Sequence, residues 1–162
     1  MLVVGIDPGV ATTGFGLVRD TRDGILLVDY GTITTPPNMV LAQRLLLLHE
    51  ELKKIIQLHR PESAAVEKLF FQKNVTTAIA VGQARGVALL TMAENQIEVS
   101  EYTPLEVKQA VAGYGSADKK QVQYMVKALL NMEEIPYPDD AADALAIAIC
   151  HLHSVRFRDL QG

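Results

Sequence analysis

The stretch "LVVGIDPGV", residues 2–10, carries a single charged side chain, Asp7, at the end of an apolar run and directly before a Pro-Gly turn. Because the ring of Pro8 pushes the preceding residue toward extended backbone, Asp7 is predicted to end a strand on a rigid element. "SAAVEK", residues 63–68, repeats this pattern, since Glu67 follows a nearly uncharged run. If the two strands are parallel neighbours, their carboxylates meet at one edge of a sheet.

The segments around these strands predict an α/β fold with a five-stranded mixed sheet flanked by helices. Short apolar runs at residues 2–7, 14–18 and 25–34, separated by turn formers, predict an antiparallel meander. Two further strands, at 63–69 and 96–102, follow helical segments and are therefore predicted to be parallel. Helices are predicted over residues 39–59, 75–93, 104–112, from after "GYGSADKK" to about 131, and 139–154. Ligands tend to bind beyond the carboxyl ends of parallel strands, where Asp7 is expected.

Length and composition favour one soluble domain. The chain has 162 residues, of which 49% are hydrophobic, and we expect a single domain over residues 1–155 with a frayed tail over 156–162. The longest uninterrupted apolar run, residues 144–150, is far shorter than a membrane helix. With no secretory signal visible, we expect a cytoplasmic protein without a membrane segment. A lone cysteine, Cys150, excludes an intramolecular disulfide and a cysteine-rich zinc site.

The net charge of −4 is unusual for a protein that binds nucleic acid. Four acids gathered at one metal site would account for this whole charge, however, and would leave the rest of the chain neutral. Local charge therefore carries more information than the total.

Asp140 and Asp143 add two carboxylates in the first turn of the last predicted helix, three residues apart and hence on one face. Taken singly, each acid has an ordinary structural role, as a turn former, a solvated strand end or a partner of the helix dipole. Taken together with Asp7 and Glu67, they would repel one another without a counterion. A divalent cation removes this conflict, and oxygen ligands suit magnesium or manganese.

The remaining reactive side chains offer little competition to the carboxylates. Cys150 lies in an apolar helix and is expected to be a buried small hydrophobe. Surface or helix-end positions are expected for the four histidines, His49, His59, His151 and His153. The sequence thus shows neither a serine-histidine-aspartate arrangement nor a thiol nucleophile.

Five segments resemble the RuvC family of Holliday-junction resolvases and occur in the family's order between residues 2 and 153. They are "GIDPGVATTGFG" (5–16), "AAVEKLFFQKN" (64–74), "GQARG" (82–86), "GSADKKQVQ" (115–123) and "DDAADALAIAICH" (139–151). The resemblance implies a ribonuclease H-like fold and a homodimer. It also implies a magnesium-dependent endonuclease that makes paired nicks in four-way DNA junctions during homologous recombination and DNA repair. The family acts alongside a branch-migration motor, which the resemblance makes an expected partner.

Carried over position by position, the family's catalytic and metal-binding acids fall on Asp7, Glu67, Asp140 and Asp143. Asp139 leaves the register open, and Asp140 is preferred because the family spacing is acid, two residues, acid, directly before "ALA". Two magnesium ions per site, with manganese as a substitute, would hydrolyse a phosphodiester by in-line attack. The expected products are a 5'-phosphate and a 3'-hydroxyl.

Basic and aromatic positions complete the expected DNA site. Phe70 matches a family aromatic that stacks on a base, while Phe71 is expected in the core. Lys108 and Lys119 match basic residues important for activity, which would contact the scissile phosphate. Further contacts with the DNA backbone are expected from Lys73, Arg85 and Lys120.

Ala78, Gly82 and Gly86 form a stripe of small residues on one side of a predicted helix. This stripe suits either packing on the sheet or contact between two subunits, and the sequence leaves both open.

Three other functions remain open at this point. A ribonuclease H-like nuclease acting on an RNA–DNA hybrid or a flap would use the same acids. "DPGVATTG" also resembles the phosphate loop of sugar kinases and actin-like ATPases, but 162 residues leave no room for their second domain. A catalytically inactive DNA-binding module is the third possibility.

Overall fold

A five-stranded sheet forms the centre of the protein, which a computed structural model describes over residues 1–68 and 74–161. The strands are β1 (Leu2–Asp7), β2 (Thr12–Thr21), β3 (Gly24–Thr34), β4 (Ser63–Glu67) and β5 (Glu98–Tyr102). Their order across the sheet is β3-β2-β1-β4-β5. β1, β2 and β3 are antiparallel, whereas β4 pairs in parallel with both β1 and β5. The predicted meander followed by parallel strands is confirmed.

The described helices lie close to their predicted bounds, except that α5 runs past its predicted end at residue 154. They are α1 (Leu41–His59), α2 (Val75–Glu94), α3 (Pro104–Ala112), α4 (Lys119–Leu129) and α5 (Asp139–Gln161). α3 begins at the predicted proline, and Thr103 and Glu106 form a reciprocal capping box at its N-terminus. α4 begins in the same way with Asp118 and Gln121. These caps fix where the helices start and hence where their first side chains lie.

The two faces of the sheet bury different helices. Alternation along β1 directs Val4 and Ile6 into a core with α1 and α2, while Val3 faces a second core formed with α3, α4 and α5. The central helix of the second core is α5, whose residues 144–150 are all buried. A helix that is apolar all round must lie inside the protein, which explains the uninterrupted run in the sequence.

Glycines in β1 and β2 let α5 lie directly on the sheet. A Cβ atom at Gly5 would overlap the backbone carbonyl of Ala144, and one at Gly14 would overlap the carbonyl of Asp140. The first turn of α5 therefore sits against the carboxyl end of β1. This close approach brings the acids of α5 to the strand that ends in Asp7.

The C-terminal segment differs from the frayed tail expected over residues 156–162. α5 continues as a helix through Gln161. The guanidinium group of Arg156 binds the carboxylate of Asp20 on β2. Asp20 and Arg156 are distant in sequence, so local composition could not reveal the contact that holds this part of the helix.

His151 also differs from the expected surface or helix-end position. Its side chain is buried, with only 3% of the residue exposed. The two ring nitrogens lie 3.0 Å from Ser63 Oγ and 2.8 Å from the hydroxyl of Tyr102. Burial lowers the pKa of His151, so the ring is held as a neutral link between α5 and the strands.

Candidate active site

Asp7 and Glu67 meet at the carboxyl edge of the sheet as predicted. Ile6 pairs with Val66 in the parallel register of β1 and β4, so the two acids are the next residues on neighbouring strands. Gly5 and Ala65 share their face of the sheet, which is the face covered by α5. The strand register therefore brings both carboxylates under the first turn of that helix.

The first turn of α5 adds two further acids to this edge. Asp140 lies close enough to Asp7 that its carboxyl group helps to raise the pKa of Asp7. Asp143 lies one turn further along and lines a cavity together with Asp7 and Glu67. All four predicted acids are thus brought to one edge of the sheet, where three of them line this cavity and Asp140 borders a neighbouring groove beside Thr12 and α2.

The cavity between the acids has a volume of about 230 Å³ and mixes charged and apolar walls. Lys108 of α3 and Lys119 of α4 line it together with the carboxylates. Its apolar walls come from residues that sequence reasoning did not single out, namely Pro104, Val107, Val122, Ala146 and Ile147. Such walls lower the local dielectric and strengthen interactions between charges inside the cavity.

Burial and mutual repulsion perturb the acids strongly. Burial is the largest cause that raises the pKa of Asp7 to about 8, and the charges of Asp143, Asp140 and Glu67 add to it. Burial and then Asp143 raise the pKa of Glu67, against the opposing charge of Lys108. The pKa of Asp143 is also raised, mainly by burial. The site therefore holds more negative charge than its own lysines neutralise.

Lys119 is held by two acids of α5. Its Nζ lies 3.1 Å from Asp139 Oδ2 and 3.5 Å from Asp143 Oδ2. The Nε2 group of Gln123 donates a hydrogen bond of 3.1 Å to the other oxygen of Asp139. Sequence reasoning missed Gln123, although its position four residues after Lys119 on α4 places both on one helix face.

The sequence leaves open whether Asp139 or Asp140 is the metal-binding acid, and the two residues have different surroundings in the structure. Asp140 helps to raise the pKa of Asp7, whereas Asp139 is bound by Lys119 and Gln123. Of the two neighbours, Asp140 is the one that acts on a strand-end acid.

Arg85 does not fit the expected role of a DNA contact. Its side chain is 16% exposed, and its Nη2 binds Glu101 Oε1 of β5 at 2.8 Å. This ion pair ties α2 to the edge strand and keeps the guanidinium group away from the surface. The expectation rested on charge alone, and the tertiary partner of that charge could not be read from the sequence.

The other expected DNA contacts divide into two groups. Lys120 is exposed and lines a separate cleft with Tyr114 and Tyr124, on the side of α4 away from the acids. Phe70 and Lys73, together with Phe71, lie outside the described residues.

A divalent cation fits the chemistry of the acids. The donors are carboxylate oxygens, which hard cations such as magnesium prefer, and burial followed by neighbouring acids raises the pKa values of Asp7 and Glu67. A bound cation would stabilise their charged forms. Within residues 1–68 and 74–161, no three acidic, histidine or cysteine side chains already converge on one ion position.

One side of α2 presents an apolar stripe to solvent. Val75, Ile79 and Leu90 are exposed, and a Cβ atom at Gly86 would meet only open space. The small-residue stripe noted in the sequence therefore continues into an uncovered face at Gly86. α2 is long and apolar enough to pass a length-and-composition test for a membrane helix, a test that core helices also pass. Its other side packs Ala84, Ala88 and Met92 into the core.

Comparison with known proteins places this geometry in a family. A family model described as crossover junction endodeoxyribonuclease RuvC matches residues 3–151. A crossover junction endodeoxyribonuclease RuvC from Desulfitobacterium hafniense is 55% identical over 162 residues, covering all of this chain and 98% of the relative. One from Chloroflexus aurantiacus is 58% identical over 154 residues, covering 95% of this chain and 94% of the relative.

A solved structure shares the whole fold. T. thermophilus RuvC in complex with Holliday junction substrate superposes with a TM-score of 0.93 at 36% identity, covering 98% of this chain and 96% of that one. The ribonuclease H-like fold implied by the five sequence segments is confirmed. Sequence, fold and the clustered carboxylates agree, and the chain belongs to the family of RuvC crossover junction endodeoxyribonucleases.

Proposed function

We propose that this protein is an endonuclease that resolves four-way DNA junctions by paired, symmetric nicks. The observation that carries the proposal is the cavity in which Asp7, Glu67 and Asp143 face Lys108 and Lys119. Acids and lysines gathered in one water-restricted site suit the hydrolysis of a phosphodiester, whose transition state gathers negative charge. The junction as substrate is supported by the family and by the T. thermophilus relative described with a Holliday junction.

The four acids Asp7, Glu67, Asp140 and Asp143 would hold the metal, with two magnesium ions per site and manganese as a substitute. When bound, divalent cations would polarise the phosphate, lower the pKa of the attacking water and stabilise the leaving oxygen. The rigid ends of β1 and β4 fix two of these carboxylates, and the first turn of α5 supplies the others. The site is therefore built mainly on regular elements rather than on loops.

The lysines would act on the phosphate itself. Lys108 and Lys119 reach the cavity from α3 and α4, and each would stabilise charge that develops on the phosphate oxygens. Attack in line with the leaving 3'-oxygen leaves a 5'-phosphate and a 3'-hydroxyl. Lys120, outside the cavity, would contact the DNA backbone and add affinity without sequence choice. Phe70 and Lys73 are proposed as further DNA contacts on the segment after Glu67.

A homodimer would supply the second cut. Paired nicks of opposite symmetry need two active sites related by a twofold axis. The exposed apolar stripe of α2, made of Val75, Ile79, Gly86 and Leu90, supports this assembly because such a face is costly to leave in water. Gly86 would allow two helix backbones to approach closely.

The proposed setting is homologous recombination and DNA repair in the cytoplasm. A junction resolvase acts on the product of strand exchange, so a branch-migration motor is the expected partner complex. This setting is supported by the relatives, which are described as crossover junction endodeoxyribonucleases.

One cleavage assay tests the proposed function. The purified protein is incubated with magnesium and an end-labelled four-way junction, beside duplex, flap and RNA–DNA hybrid substrates, and every cut is mapped. Symmetric nicks at the junction alone, with ends that a ligase reseals, are expected. Cutting of the hybrid or the flap instead would overturn the substrate and retain the nuclease. Junction binding without cutting would favour a binding module.

A further inference from the structure

Lys119 contacts two acids, one that lines the cavity and one that lies outside it. Asp143 lines the cavity with the strand-end acids, while Asp139 lies outside it and is 64% exposed. The Lys119 ammonium is closer to Asp139, at 3.1 Å, than to Asp143, at 3.5 Å. Burial works to lower the pKa of Lys119, but the contacts with Asp139 and Asp143 outweigh it and leave this pKa raised.

Asp139 is itself fixed by α4. One carboxylate oxygen of Asp139 binds Lys119, and the other accepts a hydrogen bond from Gln123. Lys119 and Gln123 lie one turn apart on α4, so the carboxylate of Asp139 is held between two residues of a single helix face. The three side chains form a chain of contacts that joins the N-terminal turns of α4 and α5.

The two acids that contact Lys119, Asp139 and Asp143, have different tasks during the proposed reaction. Asp143 is one of the acids proposed to hold a metal ion, so metal binding would compete with its contact with Lys119. A free lysine side chain is long and flexible and has many rotamers. Asp139 takes no part in the proposed metal site, so its contact with Lys119 persists when Asp143 is engaged.

We propose that Asp139, held by Gln123, is a positioning residue that keeps the Lys119 ammonium at the mouth of the cavity. This inference rests on the proposed function. It adds that the Lys119 ammonium is already in place before DNA binds. A preset charge stabilises a transition state without reorganisation at the moment of reaction. Asp139 touches neither the phosphate nor the metal, and it acts only through Lys119.

Kinetics on an end-labelled junction test this role through kcat and KM. Asp139→Asn removes the charge but keeps the shape, and it is expected to lower kcat by about 5-fold while KM stays within about 2-fold. Asp139→Glu, which keeps the carboxylate, is expected to restore part of the lost kcat. Gln123→Met should act in the same direction as Asp139→Asn with a smaller effect. Glu133→Gln, an exposed acid just before α5, is the charge-matched control and should leave kcat unchanged.

A double-mutant cycle separates positioning from a structural role. In a Lys119→Ala background, Asp139→Asn should lower kcat no further, because the residue through which it acts is gone. If the two losses multiply instead, Asp139 acts independently of Lys119 and the inference fails. An unchanged melting temperature of Asp139→Asn is expected, since the residue is exposed.

A second measurement does not depend on cleavage. The order parameter of the Lys119 ammonium is measured by 15N NMR in the protein without DNA, with magnesium added to engage Asp143, and is compared between wild type and Asp139→Asn. A clear fall in the variant is expected, whereas an unchanged value overturns the positioning role. If the wild type fails to cut junctions, the proposed function fails by itself, and the NMR comparison still decides whether Asp139 orders Lys119.

Discussion

Gly14 of β2 lies directly against the backbone carbonyl of Asp140, and a Cβ atom at this glycine would overlap that carbonyl. Gly14 is also the residue that pairs with Asp7 in the antiparallel register of β1 and β2. The same missing side chain therefore lets the first turn of α5 reach the end of β1. The position of Asp140 relative to Asp7 depends on this contact between two segments that are far apart in sequence.

Gly14→Ala should displace α5 and separate its acids from Asp7. Because the clash is with backbone rather than with a flexible side chain, we expect a loss of unfolding free energy of about 1–3 kcal/mol, together with reduced junction cleavage. Chemical denaturation and the cleavage assay measure the two effects. Lys53→Ala, at an exposed position of α1, should change neither, and an equal loss in both variants would contradict the packing argument.

Asp7→Asn is expected to abolish cleavage while junction binding persists. The substitution keeps the size of the side chain but removes a charged oxygen donor from the centre of the acid cluster. A loss of at least about 100-fold in the cleavage rate is expected, with the junction affinity in a gel-shift assay nearly unchanged. Cleavage by the variant at the parent rate would refute the assignment of Asp7 to the reaction.

The metal-free protein should lose stability as the pH rises. The pKa of Asp7 is raised from 3.8 to about 8 in the folded chain, so between these values the folded state binds more protons than the unfolded state. Stability therefore falls with increasing pH through this window. In a chelator, Asp7→Asn should melt at a higher temperature than wild type at pH 8, by several degrees.

The advantage of Asp7→Asn should shrink at pH 5, because this pH lies only about one unit above the unfolded pKa of 3.8, so most of the stability that is lost between 3.8 and about 8 is still present. Magnesium should raise the melting temperature of wild type at pH 8 more than that of the variant. Melting curves at both pH values, with and without magnesium, check both statements. Parallel curves for the two proteins would contradict the raised pKa.

Lys108 and Lys120 form a matched pair of lysines near helix N-termini, one lining the cavity and one outside it. Lys108→Ala should lower kcat by about 10- to 100-fold because it removes positive charge opposite the acids. Lys120→Ala should leave kcat within about 3-fold and weaken junction binding most at low salt, so that the affinity depends less steeply on salt than in wild type. The assay is junction cleavage at several salt concentrations. Equal effects on kcat would refute the distinction.

The exposed stripe of α2 predicts how a dimer can be broken. Ile79→Glu places a charge within the stripe and should shift the protein toward monomers, raising the dimer Kd by at least about 10-fold. Leu58→Glu, at an equally exposed apolar position of α1, serves as the control and should leave the assembly intact. Analytical ultracentrifugation measures both. A wild type that is monomeric at micromolar concentration would exclude this interface.

Local sequence was sufficient for most of the elements. Pro8 places Asp7 at a strand end, Thr103 and Pro104 begin α3, and the apolar run of residues 144–150 indicates a buried helix. These features depend on backbone geometry, caps and hydrophobic patterning, which act over a few residues. The sequence predicted that Asp7 and Glu67 meet only if their strands are parallel neighbours. The observed register of β1 with β4 satisfies this condition.

Contacts between distant segments decided the rest. Arg85 pairs with Glu101, Arg156 with Asp20, and Lys119 with Asp139, and none of these partners could be identified from the sequence pattern. A long charged side chain takes its role from the partner it reaches, and that partner is chosen by how helices pack on the sheet. The sequence was therefore sufficient to identify the acids and the family. Tertiary packing determined which lysines line the cavity beside them and which acid holds Lys119.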